Sequence, residues 1–198
     1  MILPLCLLCL AASARDLPVP PNAMRAVGIL DDGRRWRLPA GEYELSEGEV
    51  NSAIAYYVAK DKEASRWVRS ASVRFKEGKT FDVDVNAGFG PELLEKVDEE
   101  AKGFVVRSLL KLLRSENNIH VECFFTSAKG KGFIQVRKAR LNSIPLPESL
   151  VDKILDLVGP RIKPPVDLHK LYRLEFNVEK VEILPGRIRA RVRSTPSR

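Results

Sequence analysis

The clearest pattern in the chain is an alternation of apolar and polar residues in several short segments. Residues 67–75 alternate in this way, the turn signal KEGK follows, and residues 81–89 alternate again. Residues 118–126 and 132–142 repeat the arrangement around SAKGKG. Because successive side chains of a strand point to opposite faces, the pattern predicts two antiparallel hairpins, each with one apolar face.

A third pair of strands is predicted near the end of the chain. Apolar residues alternate on both sides of the turn LPG, namely Tyr172, Leu174, Phe176 and Val178 before it and Ile188, Ala190 and Val192 after it. A Pro-rich connection, GPRIKPPVD, separates this pair from the preceding elements. The chain therefore ends in a hairpin that we expect to join the sheet.

Three other segments have the periodicity of amphipathic helices. The first begins at Ser46, and Glu49 three residues later completes a capping-box signature. The longest, residues 91–114, has Pro91 in its first turn and a continuous apolar stripe. At 1.5 Å per residue this helix would be about 35 Å long. The third covers residues 148–158 and follows IPLP.

The elements alternate as one helix followed by two strands, three times over. This order predicts an α+β fold in which helices cover an antiparallel sheet. We expect one domain over residues 45–193, a proline-rich arm with little regular structure over 15–44, and a flexible tail over 194–198.

The amino terminus carries a targeting signal. Residues 1–14 contain no charge and end in Ala12-Ser13-Ala14, a small-x-small site before Arg15. This segment is shorter than the roughly 20 apolar residues that span a bilayer, and it matches the apolar region and cleavage site of a secretory signal peptide. We therefore expect cleavage near Ala14 and a periplasmic or secreted protein.

Composition and charge exclude few functions. The chain has 198 residues and a net charge of +7, with its basic residues scattered along the sequence. A mildly basic surface suits phosphate-bearing partners in general. Because the aromatic and basic signatures of common RNA-binding modules are missing, we expect no nucleic-acid partner.

The sequence contains no catalytic or cofactor motif. G-x-S-x-G, P-loop, G-x-G-x-x-G and H-E-x-x-H patterns are all missing. Asp82 and Asp84 alternate on one strand face, which we interpret as solvated, and His169 stands alone. Cys123 should lie on an inward face, with His120 on the opposite face, as a buried structural thiol. We therefore expect no enzyme activity, no catalytic residue, no bound metal and no cofactor.

A row of arginines near the carboxyl terminus is the strongest charge feature. Arg187, Arg189, Arg191 and Arg193 alternate with the apolar residues of GRIRARVRS. One interpretation is an edge strand protected by charge against aggregation. The other is a surface that docks on anionic membranes, to which each basic residue contributes about 1 kcal/mol.

Part of the sequence resembles a known family. The stretches IPLPESLVDKILDLVG and PPVDLHKLYRLEFNVEKVEILPGRIRARV resemble the C-terminal half of bacterial periplasmic phospholipid-binding proteins of the LmeA type. The opening helix LSEGEVNSAI is similar to that of the same group, so the resemblance covers residues 45–193. It implies a TULIP-like fold, in which a strongly curved sheet wraps around a long helix and encloses an apolar tunnel.

This resemblance and the helical stripes together predict the function. We expect an exported protein that holds a phospholipid or another acyl-chain ligand between helices and a curved sheet. The predicted lining residues are Ile54, Leu94, Val97, Phe104, Val105, Leu109, Leu112, Leu150 and Ile154. The alternative is a non-catalytic cell-envelope interaction or structural protein with a dry core.

Overall fold

The computed structural model describes residues 17–34, 38–62, 64–88, 115–152, 170–174 and 177–193. Its helices are α1 (Met24–Arg34), α2 (Glu47–Lys60) and α3 (Ala64–Trp67), and residues 148–152 are also helical. Its strands are β1 (Gly41–Ser46), β2 (Val68–Phe75), β3 (Thr80–Gly88), β4 (Glu116–Ala128), β5 (Lys131–Leu141), β6 (Ile144–Pro145), β7 (Tyr172–Arg173), β8 (Val178–Leu184) and β9 (Arg187–Val192). The described strands pair in an antiparallel manner, which confirms the predicted α+β class.

The larger sheet contains both hairpins that the alternation predicts. Its strand order is β2-β3-β4-β5-β6, and β7 also pairs with β5. The turn between β2 and β3 has positive φ angles at Gly78 and Lys79, and Lys129 and Gly130 repeat this between β4 and β5. Two central residues with positive φ match the twist of the flanking strands and favour a tight hairpin. Local turn chemistry therefore accounts for these two connections.

The smaller sheet pairs a strand of the amino-terminal region with the carboxyl-terminal hairpin. Its order is β1-β9-β8, and β9 lies in the middle. In the β1–β9 pairing, Gly41 lies opposite Val192 and Ser46 lies opposite Arg187. The expectation of little regular structure before residue 45 is therefore wrong for this strand.

Helix α1 corrects the same expectation closer to the amino terminus. It buries Ala26, Val27 and Leu30 in the core that the two sheets share. Arg25 on its exposed side pairs with Glu49 of α2 at 2.6 Å. The Pro- and Gly-containing composition of this region suggested an arm, but burial of its apolar residues against α2 outweighs those local preferences.

Helix α2 begins as the sequence predicts. The Ser46 side chain accepts a hydrogen bond from the Glu49 amide, and the Glu49 carboxylate accepts one from the Ser46 amide. This capping box satisfies amides that a helix start otherwise leaves without partners. The helix then buries Val50, Ile54 and Tyr57 against β2 and α1.

Side chains of α2 also cover the outer edge of β2. The Asn51 side chain donates to the Val73 carbonyl at 2.9 Å and accepts from the Val73 amide at 2.7 Å. The Glu47 carboxylate accepts from the Phe75 amide at 2.7 Å. An uncovered edge strand would expose these groups to pairing with another chain, so α2 closes this side of the sheet.

The last predicted strand pair is displaced along the sequence. Among the described residues of the expected first strand, Tyr172 and Arg173 form a short strand, and β8 starts later, at Val178. Asn177 has φ of 54°, a turn conformation that Asn tolerates. The turn therefore moves the strand toward the carboxyl terminus, where Val181 and Ile183 fill the core.

Several predicted elements lie outside the described residues. These are the signal peptide over 1–14, the long helix over 91–114, the second part of the helix over 148–158, and the tail over 194–198.

Candidate functional site

Two of the nine predicted lipid-contacting residues belong to the described chain. Ile54 is 2% exposed and lies in the core between α2 and the sheets. Leu150 is half-buried in the helical stretch 148–152. The remaining seven, Leu94, Val97, Phe104, Val105, Leu109, Leu112 and Ile154, lie outside the described residues.

The apolar face of the larger sheet contains a region that is not fully covered. Val83, Phe81 and Phe75 are buried at the end of the face near α2. Val85 and Ile119 lie opposite each other on β3 and β4, and both are half-buried. Val121, opposite the buried Val83, is also half-buried. The sequence predicted these inward positions, but alternation cannot tell a covered position from a partly open one.

Cys123 is the buried thiol that the sequence predicts. It has no exposed surface and shares the apolar face with Phe125. Burial, together with the nearby negative charges of Asp82 and Glu122, raises the pKa of the thiol to about 12. A thiol in this environment carries no thiolate at neutral pH, so it is unsuited to nucleophilic chemistry.

The opposite face of the sheet corrects the interpretation of Asp82. Asp82 is buried rather than solvated, and its carboxylate pairs with Lys76 at 2.6 Å. Asp84 is exposed, and His120 Nδ1 lies 2.7 Å from its carboxylate. The register of β3 and β4 places His120 beside Asp84 although 36 residues separate them in sequence. The local sequence does not predict this contact between His120 and Asp84, because it depends on the pairing of two strands.

A groove lies where the two sheets meet. It has a volume of about 360 Å³, and its walls include Lys79 of the β2–β3 turn, Phe125 of β4 and Ile183 of β8. The Ser127 hydroxyl in the groove accepts from the Val181 amide at 2.6 Å and donates to the Val181 carbonyl at 2.8 Å. Ser127 therefore links the two sheets, because its hydroxyl both accepts and donates a hydrogen bond. No sequence motif predicts this groove.

The arginines of the carboxyl-terminal strand share one face, as predicted, and we call them the arginine face. Each contacts a carboxylate: Arg187 and Arg189 contact Glu44 at 3.3 and 2.9 Å, Arg191 contacts Glu42 at 2.6 Å, and Arg193 contacts Glu179 at 2.5 Å. These glutamates come from the neighbouring strands β1 and β8. The row is therefore an ion-pair network and not a stripe of positive charge alone.

The ion pairs shift the acidity of their members. The hydrogen bond from Arg189 lowers the pKa of Glu44, and the charges of Arg187 and Arg189 act in the same direction. The hydrogen bond from Arg193 likewise lowers the pKa of Glu179.

The interpretation of the arginine row as a protected edge strand is wrong, because β9 is the central strand of its sheet. Docking of the arginine face on anionic membranes stays a prediction.

The described part of the chain shows neither a metal site nor a membrane span. Within it, no group of three or more His, Cys, Asp or Glu side chains is arranged to hold a metal ion. Among its helices, none has the length and apolar character needed to cross a bilayer. The chain matches no protein-family model, no curated protein and no solved structure.

Proposed function

We propose that this protein is an exported lipid-binding protein that holds acyl chains against the apolar face of its larger sheet. The observation that supports the proposal best is the half-buried aliphatic group formed by Val85, Ile119 and Val121. These side chains lie within a continuous apolar face whose neighbours Val83 and Ala87 are buried. The group thus offers a partly open apolar surface next to a packed core.

The energetics of such a surface favour an apolar ligand. Burial of apolar area contributes roughly 25 cal/mol per Å², or about 0.8 kcal/mol for each methylene group. An acyl chain lying along Val85, Ile119 and Val121 would remove these side chains and its own methylene groups from water together. Ligand sites of this kind are mostly apolar and contain few polar groups.

The same proposal includes three further features of the protein. They are a TULIP-like wrap of the sheet around the helix predicted over 91–114, a tunnel lined by the residues named above, and export after cleavage near Ala14. The resemblance to periplasmic phospholipid-binding proteins of the LmeA type supports all three.

A dry-core envelope protein is the second candidate. The end of the larger sheet near α2 favours it, because Val73, Phe75 and Phe81 are buried there in the shared core. If the half-buried group is covered in the same way by residues of the chain, no room for a lipid is left. A pair of matched substitutions separates the two candidates.

Val83 and Val121 form that pair, because they lie opposite each other on β3 and β4. Val83 is buried and Val121 is half-buried. Overpacking a solid core costs about 1–3 kcal/mol. Val83→Trp should therefore lower the melting temperature, whereas Val121→Trp should fill open space at a smaller cost and weaken the binding of a fluorescent phospholipid analogue.

Native mass spectrometry of the purified protein gives the direct measurement. We expect a lipid-sized mass on the wild type and its loss in Val121→Trp. If no lipid is found and the two variants lose equal stability, the dry-core candidate is favoured and the lipid-binding proposal is wrong.

A further inference from the structure

Strand β5 and its surroundings carry a second basic surface. Residues 129–140 contain five basic residues and no acidic residue. Together with Arg173 of β7 we call them the β5 basic surface: Lys129, Lys131, Arg137, Lys138, Arg140 and Arg173. All six are exposed. This segment is inconspicuous in the sequence because its charges do not alternate as regularly as those of the arginine face.

Strand register places Lys131, Lys138, Arg140 and Arg173 on the polar side of the larger sheet. Lys138 lies opposite Glu122, and Arg140 lies opposite His120. The Arg137 guanidinium is 4.8 Å from the centre of the Phe124 ring. At the other end of β5, Lys131 lies directly opposite Arg173. Like charges opposite each other in a sheet are unfavourable, and an anionic partner would relieve that repulsion.

The charges of this surface are poorly neutralised compared with those of the arginine face. Among the described residues, the ion pair found for the six is a long one, between Lys138 and Glu122 at 3.9 Å. Each residue of the arginine face, in contrast, contacts a carboxylate at 3.3 Å or less. An electrostatic attraction for anions is therefore stronger at β5 than at β9.

An exposed aliphatic side chain lies beside the same surface. Leu171 is 66% exposed and precedes Tyr172, which lies opposite Gly132 of β5. Ile144 is 41% exposed, but its position opposite the buried Leu141 places it on the apolar face of the sheet, away from the β5 basic surface. Basic side chains beside exposed aliphatic ones are typical of elements that rest in the membrane interface.

We propose that the β5 basic surface docks the protein on an anionic phospholipid bilayer, with Leu171 entering the boundary between headgroups and acyl chains. Nucleic acid fits this surface less well. Proteins that bind single strands stack bases on accessible aromatic rings. Here the Phe124 ring lies beneath Arg137, and the exposed apolar residues are aliphatic. The inference does not depend on the acyl-chain site, since a protein with a dry core could dock in the same way.

The test compares two triple variants that remove the same charge. One is Arg137→Gln, Lys138→Gln and Arg140→Gln. The control is Lys62→Gln, Arg66→Gln and Arg74→Gln, three exposed positions outside the surface. Since each basic residue at an anionic membrane contributes several-fold to binding, the first variant should bind phosphatidylglycerol vesicles about a hundredfold more weakly than the wild type. The control should stay within a few-fold of it.

Salt and lipid composition give a second criterion on the unaltered protein. Wild-type binding should fall as sodium chloride rises from 0.05 to about 0.5 M, because screening shortens the range of the attraction. Pure phosphatidylcholine vesicles should bind weakly. Equal binding to neutral and anionic vesicles, no binding by the wild type, or equal losses in the two triple variants would overturn the proposal.

A single aliphatic substitution tests the insertion step without a change of charge. Leu171→Ser should weaken vesicle binding several-fold, whereas Met24→Ser, at a position 59% exposed on α1, should not. Melting followed by circular dichroism checks that the variants are folded. Tighter binding of a DNA duplex than of anionic vesicles, lost in the same triple variant, would assign the surface to nucleic acid and sink the membrane proposal. Lipid retained in native mass spectrometry is read separately, so failure of docking and failure of the acyl-chain site are distinguishable.

Discussion

The substitution Asn51→Ala tests how the larger sheet is closed at β2. Asn51 of α2 makes two hydrogen bonds to one residue of this strand, as a donor to the Val73 carbonyl and as an acceptor from the Val73 amide. Both bonds are partly buried, and Val73 itself belongs to the core. Alanine removes both partners at once and leaves the rest of the helix unchanged.

The expected loss of unfolding free energy follows from the Val73 amide and the Val73 carbonyl, which both lose their side-chain partner. A buried polar group without a partner costs about 1–3 kcal/mol. Because Asn51 is only half-buried, water reaches part of the site and each group belongs at the lower end of that range. Two groups thus cost about 2–4 kcal/mol, and the better helix propensity of alanine returns about 0.5 kcal/mol. For a chain of this size, the net loss corresponds to a fall in melting temperature of roughly 4–12 °C.

Calorimetry or thermal melting monitored by circular dichroism measures this loss, with Ser52→Ala as the matched control. Ser52 is the next residue of the same helix, and its hydroxyl accepts one exposed hydrogen bond from Asn22. Its removal should change stability by less than about 0.5 kcal/mol. If Asn51→Ala melts within error of Ser52→Ala, the Asn51 side chain does not stabilise the edge of β2 and the prediction is wrong.

Three further predictions concern the titration of Cys123 and of the ion-paired glutamates. Cys123 has a pKa of about 12 in the folded protein. Iodoacetamide at pH 8 should therefore modify Cys123 far more slowly in the folded protein than in protein unfolded in urea, as measured by peptide mass spectrometry. Equal rates of modification would contradict the burial of the thiol. Because an unfolded thiol ionises near pH 8.5, this group should also make the folded state less stable as the pH rises from there toward 12. The pKa values of Glu44 and Glu179 are lowered in the folded state. Their contribution to stability is therefore fully present above the unfolded pKa of about 4.3 and is lost as the pH falls through the folded pKa. Urea midpoints at pH 7 and pH 3 should therefore differ less in Arg189→Gln than in the wild type, and an unchanged difference would show that the Glu44 pair does not couple to folding.

Local patterns predicted the elements whose causes are local. The hairpins β2–β3 and β4–β5 follow from alternation around turn residues that tolerate positive φ, including Gly78 and Gly130. The capping box at Ser46 follows from two residues three positions apart. The inward position of Cys123 follows from the period of a strand.

Contacts between distant segments were not predictable in this way. The pairing of β1 with β9 joins residues more than 140 positions apart, and no local pattern marks Gly41–Ser46 as the partner of a strand at the other end. Helix α1 was missed for a related reason, since its apolar residues become informative only when α2 lies against them. His120 beside Asp84 and Ser127 beside Val181 also depend on register and on the meeting of two sheets.

The two basic segments show how this limit affects the choice of a functional surface. In the sequence, the arginine face has the more regular charge pattern, and the β5 basic surface is interrupted by apolar and Gly residues. The meaning of each pattern depends on the strands beside it, because a charge attracts a distant partner only to the extent that its neighbours leave it unbalanced. Glu44 reaches Arg189 across 145 positions of sequence, whereas the acidic residue opposite β5 is Glu122, 3.9 Å from Lys138. Among the described residues, the regular segment is thus neutralised by close ion pairs and the irregular one is only weakly neutralised. Vesicle binding should therefore respond to Arg137, Lys138 and Arg140.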